Sequence, residues 1–496
     1  MTKHRAAAMD SATFRALGHR FVDWIADYHE RVADLPVLSR SAPGDLLRAL
    51  PSSAPEQGLG DDWSAVFADL EALVLPGITH WQSPKFFAYF PCSASGPSIL
   101  GELLSAGLGV QGMLWATSPA ATELEERVLE WLGAAIGLPH SFRGPHGGGC
   151  IQGTASEATL VALVAARHRV LARGAAHPDR LVAYTSTQGH SSIVKAAMVA
   201  GLCRDASGGD RVRFVPVDRD LAMDQEALRE RIRADRAAGL VPFFVCATIG
   251  TTSTTAVDPV AAIAAVLAEE GFTHSGGWLH VDAAYAGTAL LCDEHRWMGA
   301  GVEHVDSLCF NPHKWMLTSF DCSAFWTRDR ATLIESLSVT PEYLRNRATE
   351  SGGVIDYRDW QIPLGRRFRA LKLWFVMRHF GLEGLRAHVR AHVAMARDFE
   401  AWVRADARFE IAAPRTLALV CFRLRGVGDG VERRNRELLA RINQGGEAYL
   451  SHTVLPDAAG TPRFTLRMAI GATATRHEHV QATWDRIVRI AATLPE

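Results

Sequence analysis

The chain has 496 residues and a formal net charge of −2, with 48% hydrophobic and 21% charged residues. This length predicts two to four domains with packed cores, and the composition excludes a disordered chain. The balanced charge gives no reason to expect nucleic acid as a partner, and the eight cysteines include no Cys-x-x-Cys pair, so neither a disulfide framework nor a metal site is expected.

The N-terminal segment predicts an amphipathic helix that begins after an N-cap at Asp10. Its apolar side chains share one helical face: Phe14, Leu17, Phe21 and Ile25. Residues 38–61 are rich in Pro, Ser and Gly and predict an extended connection, so nothing nearby in sequence covers that face. The helix is therefore expected to pack on a remote surface, either another subunit or the later core of the same chain.

Targeting signals and membrane spans are not evident in the sequence. The first ten residues contain no apolar core of the kind found in a secretory signal. No apolar run elsewhere reaches the length needed to span a bilayer. We therefore expect a cytoplasmic protein with no membrane partner.

An aromatic cluster follows between Thr79 and Pro91. The cluster includes Trp81, Phe86, Phe87, Tyr89 and Phe90. Such a cluster is typical of an ordinary core. It is also suited to line a pocket for a flat aromatic ligand, because stacked and edge-on rings favour such a surface.

From Ile151 to Trp326 short apolar strands alternate with helices. The predicted strands are Leu181–Tyr184, Val212–Val215, Val241–Ala247, Trp278–Val281, Ser307–Phe310 and Ser323–Trp326. The predicted helices include Glu157–Arg173, Gln225–Ala238 and Pro259–Glu270. This alternation is typical of a mainly parallel sheet covered by helices, whose ligands lie at the carboxyl ends of the strands. The residues that fall at or just after these ends are His190, Thr252, Asp282 and Lys314.

The C-terminal part predicts two long helices, at residues 366–380 and 382–404, followed by a smaller α/β unit. The strands of that unit are predicted at Phe409–Ile411, Leu417–Leu424 and Arg463–Met468. Its helices are predicted at Val431–Gln444 and Glu478–Ala492.

Lys314 is one of only five lysines in a chain that carries 52 lysine and arginine residues together. A lysine amine condenses with an aldehyde to form a Schiff base, which a guanidinium cannot do. Asp282 ends an apolar strand, and a buried carboxylate is what a pyridinium nitrogen requires. Lys314 alone could be an incidental lysine, but together with Asp282 it predicts pyridoxal phosphate (PLP) as the cofactor.

Three further features suit the same cofactor, although each also has an ordinary structural explanation. A glycine-rich run ends at Thr154-Ala155-Ser156, where a helix start and two hydroxyls could bind phosphate or simply form a common turn. His190 follows a strand, so its ring could stack on a pyridine or stay in solvent. Thr252 could end a strand or offer its hydroxyl to the ring oxygen of PLP.

His388 and His392 are four residues apart on a predicted helix, a spacing that can hold zinc. The metalloprotease pattern also requires a glutamate after the first histidine, and Val389 occupies that position. We interpret the two histidines as a surface or structurally satisfied pair and expect no metal.

Four stretches, taken in order, resemble the PLP-dependent aromatic L-amino-acid decarboxylases of the group II decarboxylase family. These are Ile151–Ala158, His280–Tyr285, Asn311–Trp315 and Trp360–Arg369. The resemblance implies an α/β, fold-type-I, PLP-dependent transferase-like architecture that forms a homodimer and binds a small amino-acid substrate. It implies an N-terminal helical arm (1–95), a large PLP-binding domain with a mainly parallel seven-stranded sheet (96–371) and a small C-terminal α/β domain (372–496).

The resemblance also implies roles for individual residues. Lys314 would hold PLP as a Schiff base, Asp282 would pair with the protonated pyridine nitrogen, and His190 would stack on the ring above Ala284. Tyr343, on a loop from Thr340 to Gly353, would protonate the substrate carbon after carbon dioxide leaves. The other cofactor contacts would be Thr154, Ala155, Ser156, Thr252, Asn311 and His313. The substrate contacts would be Trp81, Tyr89, Phe90, Pro91, Gln111, Met113, His190 and Gly365.

The chain departs from better-known animal members at a few of these positions. Cys92 stands where those members carry threonine, and Gln111 and Met113 stand at two apolar pocket positions near the dimer interface. Gly365 stands where relatives that favour tyrosine or histidine often carry serine, so it leaves room for a bulky ring. We therefore expect tryptophan-like, 5-hydroxytryptophan-like or Dopa-like amino acids as substrates.

The resemblance predicts a carboxy-lyase that converts aromatic L-amino acids to amines and carbon dioxide. A competing prediction is an aromatic aldehyde synthase, which couples decarboxylation to oxidative deamination. In the resembling family a tyrosine at the position of Tyr343 accompanies amine formation, whereas a phenylalanine accompanies aldehyde formation. A group II decarboxylase for histidine or glutamate would share the same motifs. An inactive binding protein would also share the fold, but the joint presence of Lys314, Asp282 and His190 argues against it.

Overall fold

The computed structural model describes residues 9–174, 177–209, 211–339, 341–457 and 459–495. The strands are β1 (Phe86–Phe87), β2 (Gly148–Gln152), β3 (Leu181–Ser186), β4 (Val212–Val215), β5 (Val241–Thr248), β6 (Trp278–Asp282), β7 (Ser307–Phe310), β8 (Ser323–Thr327), β9 (Phe409–Ile411), β10 (Leu419–Leu424), β11 (Tyr449–Pro456) and β12 (Pro462–Ala469).

The α-helices are α1 (Ser11–Arg31), α2 (Asp45–Ala49), α3 (Ser64–Asp69), α4 (Leu75–Gly77), α5 (Gly96–Leu108), α6 (Pro119–Ala135), α7 (Ala155–Ala172), α8 (Ser192–Val199), α9 (Gln225–Ala237), α10 (Val260–Glu269), α11 (Pro312–Trp315), α12 (Arg330–Leu337), α13 (Arg347–Glu350), α14 (Ala370–Ala405), α15 (Asp429–Gln444) and α16 (His477–Ala492). Among the described residues, no helix combines the length and the apolar composition that crossing a bilayer requires.

Seven strands form the larger sheet in the order β2-β8-β7-β6-β5-β3-β4. The strands from β4 to β7 pair in parallel, and β8 runs antiparallel to both β7 and β2. The prediction of a mainly parallel seven-stranded sheet is confirmed. Thr248, Asp282 and Cys309 are direct neighbours across β5, β6 and β7, so these strands reach their carboxyl ends at one level.

Apolar side chains on both faces explain why these strands are central. Val245, Val281 and Leu308 belong to one buried cluster together with residues of α6, α9, α10 and α14. Phe244, Trp278 and Cys309 belong to a second cluster, on the opposite face, together with residues of α7 and α8. A sheet that is buried on both faces lacks the polar alternation of a half-exposed one, as the continuous apolar runs of the sequence indicated.

The smaller sheet has the order β1-β11-β12-β10-β9. Its C-terminal strands pair antiparallel, whereas β1 comes from the N-terminal part of the chain and pairs in parallel with β11 through Phe86 and Tyr449. The sequence prediction missed both β1 and β11. Strand β11 alternates partly buried and exposed residues and carries Ser451 and Thr453, so it lacks the apolar run that marks its neighbours. The division of the chain at residues 95 and 371 stays a prediction.

The two helices predicted at residues 366–380 and 382–404 are present as the two halves of α14. They meet at a kink at Gly381, whose backbone is non-helical (φ 61°, ψ 177°), so the predicted break is confirmed. The predicted start at Arg366 is wrong, because the helix begins at Ala370. Arg366 is instead buried, and its guanidinium binds Glu125 of α6 with an Nη2–Oε1 distance of 2.7 Å.

Helix α1 begins where the sequence predicted, with the Asp10 carboxylate accepting hydrogen bonds from the amides of Ala12 and Thr13. Part of its apolar face packs on the same chain, since Phe21 stacks on Phe67 with ring centroids 4.6 Å apart. Phe14 remains 64% exposed. The predicted extended connection at residues 38–61 is corrected at one point, because it contains the short helix α2.

Candidate active site

A cavity of about 190 Å³ opens beside the carboxyl ends of β5, β6 and β7. Sequence-predicted site residues account for most of its lining: Phe90, Thr154, Ala155, Ser156, His190, Thr252, Asp282, Ala284, Asn311, His313 and Lys314. The fold brings these residues together from a stretch of chain more than 200 residues long, in accordance with the rule that strand ends carry the ligand sites of parallel sheets.

Lys314 enters this cavity from α11, the single turn that follows β7. Pro312 at the first position of that turn fixes the backbone dihedral φ. The Lys314 Nζ atom lies 5.4 Å from the centroid of the Phe90 ring. Desolvation by the surrounding protein lowers the pKa of Lys314, and the charge of Arg467 adds to that effect, whereas Asp282 opposes it. The amine is therefore unprotonated more often than a lysine in water, as a nucleophile requires.

Asp282 closes β6 and is only 4% exposed. Its Oδ1 atom accepts a hydrogen bond of 2.9 Å from the amide of Ala284. Its backbone carbonyl accepts another, also of 2.9 Å, from the amide of Ile249. A buried carboxylate held in this way needs a cationic or proton-bearing partner, and the cavity beside it is where a pyridine nitrogen would supply one.

Below Asp282, a row of buried polar side chains crosses from β6 to β7. Trp278 donates its indole hydrogen to the Ser307 hydroxyl (2.8 Å), and that hydroxyl lies 2.8 Å from Nδ1 of His280. Burial lowers the pKa of His280 to about 4, so the ring is neutral near pH 7. The Ser307 hydroxyl has one proton and two lone pairs, so it accepts from the indole and can bond to Nδ1 of His280 in either neutral tautomer.

One end of the cavity has donors that suit a phosphate. Ala155 and Ser156 open helix α7, and Thr154 is its N-cap residue but makes no side-chain capping bond to the described residues. The backbone amides and hydroxyls at this helix start are therefore available to an anion. Asn311 also lines the cavity, and its buried Oδ1 has no hydrogen-bond partner within the described part of the chain. An amide group in this position, with the orientation that offers its nitrogen, completes a donor set that fits PLP.

Stacked aromatic rings form one wall of the cavity. The Phe90 and Tyr285 rings stack with centroids 3.9 Å apart, and Tyr285 stacks in turn on Trp315 at 4.7 Å. Trp315 donates its indole hydrogen to Nδ1 of His392 over 2.9 Å. Burial lowers the pKa of both His392 and His388. The histidine pair thus anchors the turn that carries Lys314, and within the described residues no group of three metal-ligating side chains forms.

Two further histidines face the cavity in neutral form. His190 remains partly open to solvent and accepts a hydrogen bond of 3.1 Å at Nδ1 from the amide of Ser192. Desolvation lowers its pKa, and Lys314 adds to this, although Asp282 opposes it. His313 accepts at Nδ1 from the amide of Cys322 (2.9 Å), and burial lowers its pKa to about 3. In both rings the accepting Nδ1 assigns the proton to Nε2.

Other sequence-predicted residues do not line the cavity of their own chain: Trp81, Tyr89, Pro91, Gln111, Met113, Tyr343 and Gly365. Trp81 and Tyr89 stack on each other at the surface, while Pro91 is buried against Gly471. Tyr343 is 78% exposed, and Thr340, where its predicted loop begins, lies outside the described residues.

Gln111 and Gly365 contact each other although 254 positions separate them in the chain. The Gln111 Oε1 atom accepts a hydrogen bond of 2.6 Å from the amide of Arg366. A Cβ atom added to Gly365 would lie 3.0 Å from Gln111 Nε2. Met113 belongs to the same segment as Gln111, and its carbonyl accepts from the amide of Arg358. Together these residues form a second group that is separate from the cavity.

Three cavity residues escaped the sequence prediction: Thr248, Gly250 and Tyr285. Thr248 ends β5 and faces Asp282 across the sheet, so the strand-end rule that selected Asp282 could also have selected it. Gly250 has φ +83°, and a Cβ atom there would lie 2.5 Å from Cβ of Ala286. Glycine is therefore required where the β5 loop passes close to the segment after Asp282.

A family model described as "Pyridoxal-dependent decarboxylase conserved domain" matches residues 43–425. The chain belongs to this family. It is 48% identical over 491 residues to phenylacetaldehyde synthase of Arabidopsis thaliana, covering 98% of this chain and 97% of that protein. It is 44% identical to the aromatic-L-amino-acid decarboxylase of Mus musculus, covering 98% of this chain and 99% of that one.

A crystal structure of the Oryza sativa TDC with PLP and tryptamine superposes with a TM-score of 0.93 at 42% identity, covering 98% of this chain and 99% of that one. The protein is accordingly a PLP-dependent group II decarboxylase with the fold-type-I architecture, and its reaction is that of a carboxy-lyase. The predictions of the family, the fold, the cofactor and the enzyme class are confirmed.

Proposed function

We propose that this decarboxylase acts on aromatic L-amino acids, releases the corresponding amines and carbon dioxide, and works as a homodimer. The observation that carries the proposal is the cavity. Lys314, Asp282 and His190 line it together with a wall of stacked aromatic rings. That wall suits a flat substrate and a flat cofactor together. The relatives support the substrate class, since they are named for aromatic amino acids or their products.

The roles proposed for the residues follow from their chemistry. When bound, PLP supplies an electron sink for the charge that departing carbon dioxide leaves on the substrate. Lys314 offers a partly neutral amine to the cofactor aldehyde, and Asp282 holds a proton at the pyridine nitrogen. Thr154, Ser156 and the amides at the start of α7 bind the phosphate. Phe90 and the rings stacked behind it exclude water from one side of the cavity.

Amine formation requires an acid that delivers a proton to the substrate carbon, and we propose Tyr343 for this step. Similarity alone does not separate amine from aldehyde products, because the relatives include a phenylacetaldehyde synthase. In the resembling family, tyrosine at this position and histidine at the position of His190 accompany amine formation. This chain carries both residues, and its Tyr343 phenol is the group that a phenylalanine would lack.

The dimer is proposed because the residues assigned to substrate and proton delivery lie outside the cavity of their own chain. Tyr343 and Gln111 are exposed in the single chain. Helix α5 presents an apolar stripe to solvent that consists of Leu100, Leu103, Leu104 and Leu108. An exposed apolar stripe of four leucines suits burial against another chain. A partner related by two-fold symmetry would bring its own Tyr343 and Gln111 to the cavity.

The experiment that tests the function measures carbon dioxide, amine and hydrogen peroxide over a panel of amino acids. We expect carbon dioxide and amine in equal amounts from tryptophan, 5-hydroxytryptophan or Dopa, with lower specificity constants for histidine and glutamate. Stoichiometric peroxide from the unmodified enzyme would identify an aldehyde synthase instead. A higher specificity constant for histidine would reject the aromatic preference.

A mixed-subunit experiment tests whether a second copy supplies Tyr343. Lys314→Ala and Tyr343→Phe chains are each expected to form very little amine, so they are co-expressed with different tags, the hybrid is isolated, and amine is the product measured. If Tyr343 acts across the dimer, the isolated hybrid has one intact site of its two and recovers about half of the wild-type amine formation. A hybrid that forms as little amine as its parents would show that Tyr343 acts within its own chain.

A further inference from the structure

Arg467 extends from strand β12 of the smaller sheet to the wall of the cavity, and it is 3% exposed. Its Nη2 atom donates to the carbonyls of Thr252 (2.6 Å) and Tyr89 (3.3 Å). Nε donates to the carbonyl of Ser253 (3.1 Å), and Nη1 donates to the hydroxyl of Ser451 (2.6 Å). One guanidinium thus joins the smaller sheet, the loop after β5 and the segment after β1.

The loop after β5 contacts the smaller sheet at Thr252 and Ser253. Besides the bonds from Arg467, the Cys421 thiol on β10 lies 3.2 Å from the carbonyl of Ser253. The Thr453 hydroxyl on β11 lies 3.0 Å from the hydroxyl of Ser253. Thr252, the neighbour of Ser253, lines the cavity. The smaller sheet therefore sets the position of a cavity residue that belongs to the larger one.

Within the described residues, no carboxylate forms an ion pair with Arg467. All four acceptors that the structure describes for its guanidinium are neutral oxygen atoms. The guanidinium carbon lies 5.3 Å from the centroid of the Phe90 ring, to which Lys314 Nζ also lies close, at 5.4 Å. A guanidinium stays charged even when buried. A fixed positive charge therefore lies close to the Phe90 ring of the cavity wall, which Lys314 Nζ also approaches.

We propose that Arg467 is a positioning residue of this enzyme, which fixes Thr252 and the Tyr89 backbone at the cavity and supplies the fixed positive charge that acts on Lys314. The first effect needs the planar fork of the guanidinium, because three separate backbone carbonyls accept from it. The second effect needs only a cation. A positive charge near an amine favours its neutral form, which agrees with the direction in which Arg467 moves the pKa of Lys314.

The two effects separate in a comparison of Arg467→Gln, Arg467→Lys and Thr453→Val with the wild-type holoenzyme. The matched control is Arg463→Gln, on the same strand, whose guanidinium binds Glu432 and Asp457. Two quantities are measured without substrate: the dissociation constant of PLP, by fluorescence, and the pH midpoint of the absorbance of the lysine-bound cofactor. Circular dichroism checks that each variant is folded.

We expect Arg467→Gln to weaken PLP binding about tenfold and to raise the absorbance midpoint by up to about one pH unit, since a cation near the lysine is lost. Arg467→Lys should restore the midpoint but not the affinity. Thr453→Val should weaken PLP binding without moving the midpoint, because it loosens the loop and keeps the charge. Arg463→Gln should match the wild type in both measurements.

An unchanged midpoint in Arg467→Gln would overturn the electrostatic part of the proposal, and a lysine variant equal to the wild type in PLP affinity would overturn the positioning part. If Arg467→Gln does not fold, Arg467→Met tests the loss of the charge in its place, and Arg467→Lys still tests the positioning. The proposal assumes the proposed role of Lys314. If Lys314→Ala keeps the wild-type absorbance titration, that role fails, whatever the Arg467 variants do.

Discussion

The cavity and the group of exposed residues outside it differ in how the chain builds them. Lys314 and Asp282 lie at or after the ends of buried strands, where neighbouring elements fix them on several sides. Gln111, Tyr343 and Gly365 lie on exposed segments between elements. The residues proposed to hold the cofactor are therefore brought together within one chain, whereas the proposed selection of the substrate ring and delivery of the proton depend on loop movement or on a second copy.

The segment that carries Tyr343 is held mainly by contacts between its own residues. Leu344 is buried, but Tyr343 beside it is 78% exposed. Arg345 forms ion pairs with Glu342 and Glu350 of the same segment, and all three side chains are exposed. Exposed ion pairs contribute little to stability, about 0–1 kcal/mol each. Thr349 adds one hydrogen bond, which its hydroxyl donates to Asp356. A segment held by one buried leucine, such pairs and this bond is expected to open locally at a lower free energy than the cavity does.

The largest expected effect is on the cavity side. Lys314→Ala should lower kcat by a factor on the order of 10³ or more, because it removes the amine that we propose binds the cofactor aldehyde. Lys195→Ala, which removes an exposed lysine, is the matched control and should leave kcat unchanged. Borohydride reduction followed by peptide mapping should find PLP on the peptide that contains Lys314. A label on Lys195 or Lys372 would reject this assignment and, with it, the comparison of the two regions.

The next largest effect is expected from the exposed residue Tyr343. Tyr343→Phe should lower the rate of amine formation about 10²-fold to 10⁴-fold, because it removes a proton donor while it keeps the ring. Substrate binding should stay near normal, and aldehyde, ammonia and hydrogen peroxide should appear. Product analysis by chromatography, with a peroxide assay, measures both branches. Undiminished amine formation would mean that the proton comes from elsewhere, and His190 or a bound water would become the next candidate.

Sequence reasoning succeeded where a short stretch carries its own signal. The strand that ends in Asp282 and the turn after β7 are both visible as apolar runs followed by polar residues, and parallel strands bring such ends together. It failed where the contact partner is far away in the chain. Nothing local in the sequence predicts that Arg467 binds the carbonyl of Thr252, 215 positions earlier. The same is true of the hydrogen bond from the Arg366 amide to Gln111, since Arg366 lies before the start of α14 at Ala370 and not within the helix.

A smaller effect is expected from the buried row beneath Asp282. The pKa of His280 is about 4 in the folded chain, compared with about 6.5 in an unfolded one. Between these values the unfolded state binds more protons, so this contribution to stability is present above pH 6.5 and is lost as the pH falls towards 4. Its size is about 3 kcal/mol. Asp258, whose pKa burial raises to about 6, acts in the opposite direction.

His280→Gln isolates this contribution, since a glutamine amide can still form a hydrogen bond with the Ser307 hydroxyl, as donor or acceptor, but does not titrate. Urea unfolding at pH 7, 6 and 5 should show a weaker loss of stability towards acid in the variant than in the wild type. Parallel curves for the two proteins would mean that other groups dominate the acid response, of which His313 is the nearest candidate.

The smallest expected effect tests the exposed group directly. A Cβ atom on Gly365 would lie 3.0 Å from Nε2 of the Gln111 side chain. The Oε1 atom of the same side chain accepts a hydrogen bond from the backbone amide of Arg366. Gly365→Ser must therefore displace Gln111 or occupy the space beside it, and it also adds a hydroxyl. We expect the specificity constant for tryptophan to fall about tenfold relative to that for tyrosine, as one small group in a pocket commonly causes.

Two further variants show whether Gly365 acts through Gln111. Gly58→Ser, at a position where a Cβ atom would meet nothing within 4 Å, is the control and should leave the tryptophan-to-tyrosine ratio unchanged. The Gln111→Ala change removes the amide that the new serine would displace, so the effects of Gly365→Ser and Gln111→Ala should not add in the double variant. Additive effects would mean that the two positions act independently. An unchanged ratio in Gly365→Ser would remove this group from substrate selection and leave ring preference to the aromatic wall around Phe90.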